Sequence, residues 1–416
     1  MQEIKKINLS LEFNYYSLGD LVKIKYGKNQ KKVQDDENGK YPIYGTGGLM
    51  GYSIDYLYDK PSVLIGRKGS IEKVRYIEEP FWTVDTLFYT EVNDKIVIPK
   101  FLYYVMSLIN LSRYNEGTSI PSLRTETLNR LDLPIPNLNY QKRVLTVLSS
   151  IDKKISLNKK INKNLLKLSK YLFKEFYWDK VESYDNKQYV TLDDVTSKFA
   201  TGLNPRKNFV LGEGNNYYVT IKNMANNSIV LDNKCASITD DALIKINKRS
   251  DLQVGDLLFS GIGTIGRVHL IDEKPTNWNI SESVFTMRPN ELISSEFLFI
   301  LLLSQEVQEY AKTLASGSVQ KGIRMRDLKT FELILLKQDD KIILDQLLIP
   351  IIGKIKSNEK EIRKLQNLRD TLLPKLMSGE IDVSKINCDL ELKYNYIKYL
   401  FNQIHTPIQI RCVKIT

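Results

Sequence analysis

A heptad pattern that occurs twice constrains the fold of this chain more than any other feature of its sequence. Between residues 141 and 177, apolar and small polar residues recur at alternating spacings of four and three, and Lys, Asn and Ser fill the flanks. The positions of this first seam are Val144, Leu148, Ile151, Ile155, Asn158, Asn162, Leu165, Ser169, Leu172 and Phe176. Such a seam predicts one long helix that packs against a partner helix.

The partner helix lies in the same chain. The pattern returns 200 positions later, and Asn358 stands where the first seam has Asn158. The positions of the second seam are Leu344, Leu348, Ile351, Ile355, Asn358, Ile362, Leu365, Arg369, Leu372 and Leu376. Because related halves imply a pseudo-dyad, we expect the two helices to pack as an antiparallel coiled coil that holds two globular domains at a fixed distance.

Polar and helix-breaking residues interrupt the two seams. A single buried Asn commonly fixes the register of a coiled coil at a cost in stability. We therefore predict that Asn158 and Asn358 form a buried pair that fixes the register; the alternative is that both lie near an end of the contact. Pro350 and Gly353 predict a kink near residues 346–350 of the second helix.

The composition favours a folded and basic cytoplasmic protein. Of the 416 residues, 42% are hydrophobic, which is enough for a core in each of several domains. A formal net charge of +11 favours nucleic acid as the partner, and an incidentally basic protein is the alternative. Cys235, Cys388 and Cys412 lack metal or redox spacing, which predicts a reducing compartment and no zinc site. The apolar runs fall short of the roughly 18 residues that span a membrane, and the amino terminus lacks a signal-peptide pattern, so we expect no membrane contact.

Short strands, tight turns and single helices on both sides of the first long helix predict an α/β (α+β) fold. Gly and Pro cluster between aromatic and β-branched residues at 41–48, and 62–77 resembles two strands around a turn. The predicted order is a first domain at 1–138, a spacer helix at 139–179, a second domain at 180–337, a second spacer helix at 338–378 and a tail at 379–416.

The second domain repeats the first. SLGDL at 17–21 is echoed by TLDDV at 191–195, and VLIGRKGSIEKV at 63–74 by LLFSGIGTIGRV at 257–268. The offset between the copies grows from 174 to 200 and then stays constant through the helix. The halves therefore differ chiefly by insertions in their early loops. Two domains with one frame and different loops are expected to carry two specificities.

Motifs for nucleotide chemistry are weak. GIGTIG at 261–266 matches a dinucleotide fingerprint, but the strand-like RVHLI follows it, whereas a pyrophosphate site needs a helix amino terminus. We therefore expect a hairpin turn. An Asn-Pro-Pro-aromatic tetrad that would hold a flipped adenine is absent from the sequence, which argues against methyl transfer by this chain.

Acid and base residues also give little support for catalysis. Asp256 with the Asp-Glu-Lys run at 272–274 resembles a carboxylate and lysine nuclease site, but the lysine has no counterpart in the first half. An exposed charged turn is the preferred interpretation. His269 and His405 are the two histidines, and each is expected to be structural or on the surface. We predict no catalytic residue, no metal ligand and no cofactor in this chain.

Basic and polar residues of the loops are the candidate DNA contacts. Arg and Asn can read base edges, Lys and Thr can hold phosphates, and exposed Tyr can stack; the alternative for each is ordinary solvated surface. The candidates in the first domain are Lys28, Lys31, Lys32, Tyr44, Thr46, Arg67, Lys68, Arg113, Arg124 and Arg130. The candidates in the second domain are Lys198, Arg206, Lys207, Lys222, Asn223, Arg267, Lys321, Arg324 and Arg326.

These motifs resemble the specificity subunit of type I restriction-modification systems. YPIYGTGGLMGY, VLIGRKGSIEKV and FWTVDTLFY look like one common type of target recognition domain in that family, and NYYVTIKNM with GDLLFSGIGTIGRV looks like another. LPIPNLNYQKRV before the first long helix and LRDTLLPKLMSGEI at the end of the second are similar to the family's spacer helices. The resemblance covers about residues 15–384. It departs at 333–342, where the Pro-x-Pro entry is missing, and at 385–416.

The resemblance implies a non-catalytic subunit that reads double-stranded DNA. Each domain would read one half of a bipartite target in the major groove, and the helices would set the unread gap. Two methyltransferase subunits would dock on the chain and use S-adenosylmethionine to methylate adenine, and motor-nuclease subunits can join. The residues alone imply only a two-headed DNA binder with a coiled-coil ruler.

Two other classes of function are open. The first is an interaction scaffold whose coil binds other helices and whose charge is incidental, and the second is an enzyme that acts alone. Steep loss of DNA affinity with added salt would separate a DNA reader from a scaffold, because phosphate contacts release counterions.

Overall fold

A computed structural model describes residues 13–225, 227–232, 234–316 and 321–384 of the chain. The chain divides into two compact units. The first unit comprises residues 1–156 together with 362–416, and the second comprises residues 157–361. Cys388, Cys412, His405 and the tail beyond residue 384 lie outside the described residues.

The chain up to the first long helix contains nine strands, three short α-helices and a 3-10 helix (Leu111–Tyr114) in its described part. The strands are β1 (Phe13–Ser17), β2 (Val22–Tyr26), β3 (Tyr41–Gly45), β4 (Gly48–Ser53), β5 (Ser62–Gly66), β6 (Val74–Ile77), β7 (Trp82–Thr83), β8 (Leu87–Val92) and β9 (Asp132–Pro136). The helices are α1 (Leu18–Leu21), α2 (Pro99–Ser107), α3 (Thr125–Asn129) and the long α4 (Leu138–Phe173).

The remainder follows a similar order of elements with several additions. A π-helical turn (Lys174–Trp178) and α5 (Asp179–Glu182) continue from α4. The strands are β10 (Tyr189–Thr191), β11 (Thr196–Thr201), β12 (Asn216–Val219), β13 (Met224–Ala225), β14 (Ser228–Ile229), β15 (Ala236–Ile238), β16 (Leu257–Ser260), β17 (Val268–Leu270), β18 (Trp278–Ile280), β19 (Val284–Pro289) and β20 (Glu332–Ile334). The helices are α6 (Asp240–Ser250), α7 (Ser295–Leu302), α8 (Gln305–Thr313), α9 (Met325–Leu328) and the long α10 (Gln338–Met377).

In the described residues, each of the three sheets of the first unit has a counterpart in the second unit, which adds the two-stranded sheet β13-β14. The four-stranded sheet has the order β2-β8-β5-β6 in the first unit and β11-β19-β16-β17 in the second. The three-stranded sheets, β4-β3-β7 and β15-β12-β18, each pair their middle strand antiparallel on one side and parallel on the other. The two-stranded sheets β1-β9 and β10-β20 close each unit next to a long helix. The mixed α/β architecture and the duplication predicted from the sequence are thus confirmed.

The seam of the long helices belongs to the main core of each unit. In the first unit, Val144, Leu148 and Ile151 of α4 are buried in one cluster with Leu372 and Leu376 of α10 and with the apolar faces of α1 and α2. The Tyr140 hydroxyl donates to the Leu376 carbonyl at 2.8 Å, which places the start of α4 beside the end of α10. Within this unit the helices therefore run antiparallel.

The second unit repeats this arrangement with the other halves of the helices. Leu344, Leu348 and Ile352 of α10 share a core with Phe173 and with the apolar face of α7. The Asn158 amide of α4 donates to Glu361 of α10, and the Asn162 amide donates to the Ile355 carbonyl at 3.1 Å. Residue numbers in α10 thus fall as those in α4 rise, and the direction is again antiparallel. Burial of this apolar surface is the main term that stabilises the contact, at roughly 25 cal/mol per Å².

The seam contains a polar layer in the second unit. Asn158 and Asn358 are buried, with 2% and 1% of their surface exposed. The Asn158 amide donates to Glu361 Oε2 and the Asn358 amide donates to Asn162 Oδ1, both at 2.8 Å. Both asparagines are thus buried as predicted, but each pairs with another polar side chain of the facing helix, and no hydrogen bond joins Asn158 to Asn358. Their role in fixing the register stays a prediction.

The predicted seam position Phe176 is wrong, because Phe173 and Tyr177 take its place. Phe176 is 39% exposed, whereas Phe173 and Tyr177 are 1% and 0% exposed. The helix changes to a π-helical turn at Lys174–Trp178, whose wider bonding pattern shifts the inward face away from the heptad phase. Tyr177 also donates its hydroxyl to the Ile334 carbonyl at 3.1 Å, which a Phe at this position could not do.

Helix α10 continues without interruption through Pro350 and Gly353. Both residues are exposed, so they lie on the solvent side of the helix and away from the seam. The missing N–H of Pro350 therefore disturbs a face where water can satisfy the freed carbonyl. The kink near residues 346–350 stays a prediction.

The GIGTIG segment forms the hairpin expected from the sequence. Strands β16 and β17 pair antiparallel on either side of it, and Ser260 and Arg267 close the turn through a backbone hydrogen bond of 2.9 Å. Gly263 and Gly266 adopt φ values of 81° and 89°, which glycine reaches without a steric penalty. A helix amino terminus for a pyrophosphate does not follow this turn, so the dinucleotide interpretation is wrong.

The acids and the histidine of the suspected catalytic sites serve the fold. Asp256 is fully buried and accepts hydrogen bonds from Arg288 at 2.7 and 3.0 Å. The charged turn after β17 contacts α10, where Asp272 lies 3.9 Å from the buried Lys356. His269 is buried, and its Nδ1 lies 2.8 Å from the Asn227 carbonyl oxygen. Within the described ranges, no helix could span a membrane, and no three His, Cys, Asp or Glu side chains are grouped for a metal ion.

The shift of the inward face can be tested with two neighbouring phenylalanines. We expect Phe173→Ala to lower the free energy of unfolding of the second unit by about 3–5 kcal/mol, because it leaves a cavity in the core. The exposed Phe176 is the matched control, and Phe176→Ala should cost less than about 1 kcal/mol. Urea denaturation followed by circular dichroism measures both losses. Equal losses, or a larger loss for Phe176→Ala, would contradict the observed phase.

Candidate nucleic-acid interface

Loops of the first unit converge on the turn Val84–Leu87, between β7 and β8. The backbone N–H of Val84 donates to the Tyr44 carbonyl at 3.1 Å, which attaches the β3–β4 hairpin. The backbone N–H of Lys28 donates to the Thr83 carbonyl, and the backbone N–H of Arg67 donates to the Thr86 carbonyl, both at 2.8 Å. The turns after β2, β3 and β5 therefore meet at one end of the sheets.

A long connection between α2 and α3 completes this group of loops. Gly69 donates its N–H to the Pro121 carbonyl at 2.8 Å, and Leu123 donates to the Arg67 carbonyl at 2.9 Å. We call residues 27–28, 44–49, 66–70, 83–87 and 116–124 the first loop cluster.

The second unit builds an equivalent group around the turn Ser281–Val284. Ser281 donates its N–H to the Val219 carbonyl and Gly261 donates to the Ser283 carbonyl, both at 2.8 Å. Gly263 donates to the Lys321 carbonyl, also at 2.8 Å, in the same way as Gly69 to Pro121. We call residues 202–207, 219–223, 261–266, 280–284 and 321–324 the second loop cluster.

A glycine at the end of the first strand of each four-stranded sheet makes this convergence possible. A Cβ on Gly27 would lie 2.0 Å from the Val84 carbonyl oxygen, and a Cβ on Gly202 would lie 1.7 Å from the Ile280 carbonyl oxygen. Both distances are far inside van der Waals contact, so no other residue fits without a backbone shift. The same close approach therefore holds the central turn in both units.

Most predicted contacts of the first unit are exposed on or beside the first loop cluster. The exposed side chains are Lys28, Lys31, Lys32, Lys68, Arg113, Arg124 and Arg130. Thr46 is half-buried at the tip of the β3–β4 hairpin. Arg67 is also half-buried; its guanidinium donates to the Asp85 carbonyl at 2.8 Å and lies 5.1 Å from the centre of the Tyr26 ring. The loop cluster therefore presents several cations and a positioned Arg–Tyr pair.

Tyr44 lies deeper than the sequence suggests. Its hydroxyl donates to Glu79 Oε1 at 3.4 Å, and burial, reinforced by the negative charge of Glu79, raises the pKa of Tyr44 to about 12. The phenol is therefore neutral at physiological pH and is engaged inside the unit.

The predicted contacts of the second unit fall into two groups. The exposed ones are Arg206, Lys207, Lys222, Lys321, Arg324 and Arg326. Lys198 is paired with Asp251 at 3.4 Å. Asn223 is 8% exposed and closes a capping box with Thr220, and Arg267 donates to the Ile221 and Met224 carbonyls at 2.7 and 2.5 Å. The fold therefore uses Asn223 and Arg267 to satisfy local backbone groups.

Sequence reasoning missed the exposed apolar residues of the first loop cluster and its surroundings. Leu49 and Met50 at the β3–β4 hairpin are 54% and 52% exposed, and Ile120 is 60% exposed. The Gly-Gly pair before Leu49 was the available signal, since a tight hairpin tip leaves the next side chains without a core. Arg75 was missed as well, and its guanidinium donates to the Thr46 carbonyl at 3.4 Å.

This combination of side chains suits nucleic acid. Cations on loops neutralise phosphates, hydroxyl and guanidinium groups reach base edges, and exposed apolar side chains can contact a thymine methyl group. The two loop clusters share a backbone frame but differ in nearly every exposed side chain, so each can favour a different sequence.

Comparisons with known proteins agree with this geometry. The family described as the type I restriction modification DNA specificity domain matches residues 11–167 and 184–367. The chain is 23% identical over 353 residues to the MjaIX specificity subunit of Methanocaldococcus jannaschii, across 79% of this chain and 80% of that protein. It is 22% identical over 422 residues to the MjaVIII specificity subunit of the same organism, across 93% and 97%.

A solved structure shares the fold. The S subunit of a type I restriction-modification system from M. genitalium superposes with a TM-score of 0.58 at 18% identity, across 90% of this chain and 99% of that one. Both matched segments of the family contain a loop cluster and part of α4 or α10. The chain therefore belongs to the family of specificity subunits of type I restriction-modification systems.

Proposed function

We propose that each unit reads one half of a bipartite target in double-stranded DNA through its loop cluster. The observation that carries this proposal is the repetition of one hydrogen-bonded loop frame with different exposed side chains. A shared frame gives both units the same approach to the duplex, and the different side chains give each its own base preference. The net charge of +11 supports a polyanionic partner.

We propose further that α4 and α10 set the unread gap between the half-sites. Helices α4 and α10 both contribute residues to the main core of each unit. Length along a helix is fixed at about 1.5 Å per residue, so the helices are suited to act as a ruler. The buried polar layer around Asn158 and Asn358 would resist sliding of one helix along the other, because a slip leaves amide groups unpaired.

The catalytic steps are assigned by this proposal to partner subunits. Two methyltransferase subunits would bind the chain and use S-adenosylmethionine to methylate adenine, and motor-nuclease subunits would add cleavage. The engagement of Asp256 and His269 inside the fold supports a subunit that reads DNA without transforming it.

An interaction scaffold is the second candidate, and exposed apolar residues on the long helices favour it. Leu157, Leu168 and Tyr171 on α4 are 52%, 44% and 60% exposed, and Ile342 and Ile349 on α10 are 45% and 46% exposed. The two functions predict different responses of DNA binding to ionic strength. A DNA reader loses affinity for DNA steeply as salt increases, whereas a scaffold with incidental charge shows weak DNA binding at all salt concentrations.

The purified chain should not transfer methyl groups by itself. We expect incubation with S-adenosylmethionine and DNA to leave the DNA unmethylated, because the chemistry is assigned to partner subunits. Incorporation of radioactive methyl groups measures this, and the same DNA with the assembled complex is the positive control. Methyl transfer by the chain after stringent removal of partners would overturn the assignment.

Exchange of one reading domain should change one half-site. We expect a chimera that takes residues 1–138 from another member of the family to alter one half of the methylated sequence and to keep the other half and the gap. Sequencing of methylated adenines in cells that express the complex measures both halves. A simultaneous change in both half-sites would contradict independent readers.

Lengthening both long helices should widen the gap. We expect four residues inserted between 160 and 161 and another four between 359 and 360 to add about 6 Å of helix, which corresponds to one or two base pairs at about 3.4 Å each. Both half-sites should keep their sequences. Replacing four residues at each point without lengthening is the control, and methylation mapping is the measurement. An active lengthened complex with an unchanged gap would show that the helices do not set the spacing.

A further inference from the structure

Each unit carries an arginine directly before a short helix of its loop cluster. Arg124 precedes α3 and Arg324 precedes α9, and neither side chain makes a capping hydrogen bond. Ser, Thr, Asp and Asn are preferred at this position, and a positive charge is unfavourable at a helix amino terminus. The stability of the short helix therefore does not explain why an arginine occupies this position in both units.

The two arginines occupy equivalent places in the repeated frame. Leu123, which precedes Arg124, donates its N–H to the Arg67 carbonyl at 2.9 Å. Ile323, which precedes Arg324, donates in the same way to the Gly261 carbonyl at 2.8 Å. The backbone thus presents the two side chains from the same position relative to the β5–β6 and β16–β17 turns.

An ion pair within the protein does not explain why both units have an arginine at this position. In the first unit, Arg124 Nε lies 3.0 Å from Glu116 Oε2, and the Arg124 side chain is 70% exposed. Glu116 and Ser316 are equivalent, since their N–H groups donate to the Ser122 and Gly322 carbonyls at 2.9 and 3.0 Å. A serine therefore replaces the carboxylate in the second unit. Within the described ranges, no hydrogen bond or ion pair joins the Arg324 side chain to another residue.

We propose that Arg124 and Arg324 each bind a DNA phosphodiester group, one in each half-site, and contribute to affinity without reading bases. These phosphate contacts rest on the proposed function and on what the two half-sites have in common. Two clusters with different side chains contact different bases, so a residue that both clusters share meets the part of DNA that does not vary, the sugar-phosphate backbone. Guanidinium groups suit phosphates because their N–H groups can donate in pairs. Glu116 engages Arg124 through Nε and leaves both Nη groups for the ligand.

Salt-dependent DNA binding by the assembled complex tests the proposal. The variants are Arg124→Ala, Arg324→Ala and the double variant. Lys95→Ala is the matched control, because Lys95 is exposed, belongs to neither loop cluster and follows β8 at the end opposite to the Val84–Leu87 turn. The slope of log affinity against log salt should become shallower by about 0.9 for each arginine removed. Between about 50 and 200 mM salt, the factor by which affinity falls should therefore be roughly threefold smaller for each single variant than for the unaltered complex. The control should keep the original slope.

Phosphate binding also predicts that each variant loses affinity for target and for non-target DNA by the same factor. Methylation mapping should find the recognised sequence unchanged in every variant. A slope equal to that of the unaltered complex, or an altered base preference in one half-site, would overturn the proposal. If the unaltered complex shows no steep salt dependence, the proposed DNA-reading function fails instead, so the two failures are distinguishable.

Glu116→Gln separates a ligand-binding role of Arg124 from a structural one. This substitution removes the ion pair but keeps the arginine. If Arg124 binds phosphate, Glu116→Gln keeps or raises DNA affinity, because a negative charge next to the phosphate is removed. If Arg124 only supports the loop through Glu116, this substitution reproduces the loss seen for Arg124→Ala, and the proposal is wrong.

Discussion

The antiparallel contact between α4 and α10 is the interaction on which the rest of the structure depends. In each unit, half of the seam is buried against the same apolar residues that support the sheets, so neither domain has a main core without both helices. Residues far apart in sequence, such as Tyr140 and Leu376, are hydrogen-bonded through this contact. Folding of either unit therefore requires closure of a long loop, which costs entropy that the apolar seam must offset.

The loop clusters show how a repeated frame can serve two specificities. The backbone hydrogen bonds around the turns Val84–Leu87 and Ser281–Val284 are equivalent, and the glycines that allow the close approach, Gly27 and Gly202, occur in both copies. Side chains that point away from this frame are free to differ, because no packing constraint acts on them. Arg124 and Arg324 depart from that rule, and the proposed phosphate contacts account for both arginines.

Periodicity and turn chemistry predicted the long helices, the duplication and the β16–β17 hairpin, because these follow from local sequence patterns. The register beyond Leu172 could not be predicted, since a π-helical turn moves the inward face to Phe173 and Tyr177. The hydrogen bonds that Asn223 and Arg267 make inside the unit could not be predicted either. Which carbonyls need a donor depends on loops that are distant in sequence, and Arg267 donates to carbonyls more than 40 residues away.

Mapping of methylated adenines across the genome of cells with and without this gene tests the central claim most directly. We expect deletion to remove methylation from one motif, made of two specified segments separated by a fixed number of unspecified base pairs, and the restored gene to return it. An uninterrupted motif, or two segments at a variable distance, would contradict the proposal that two units read separate half-sites and that the helices set the gap.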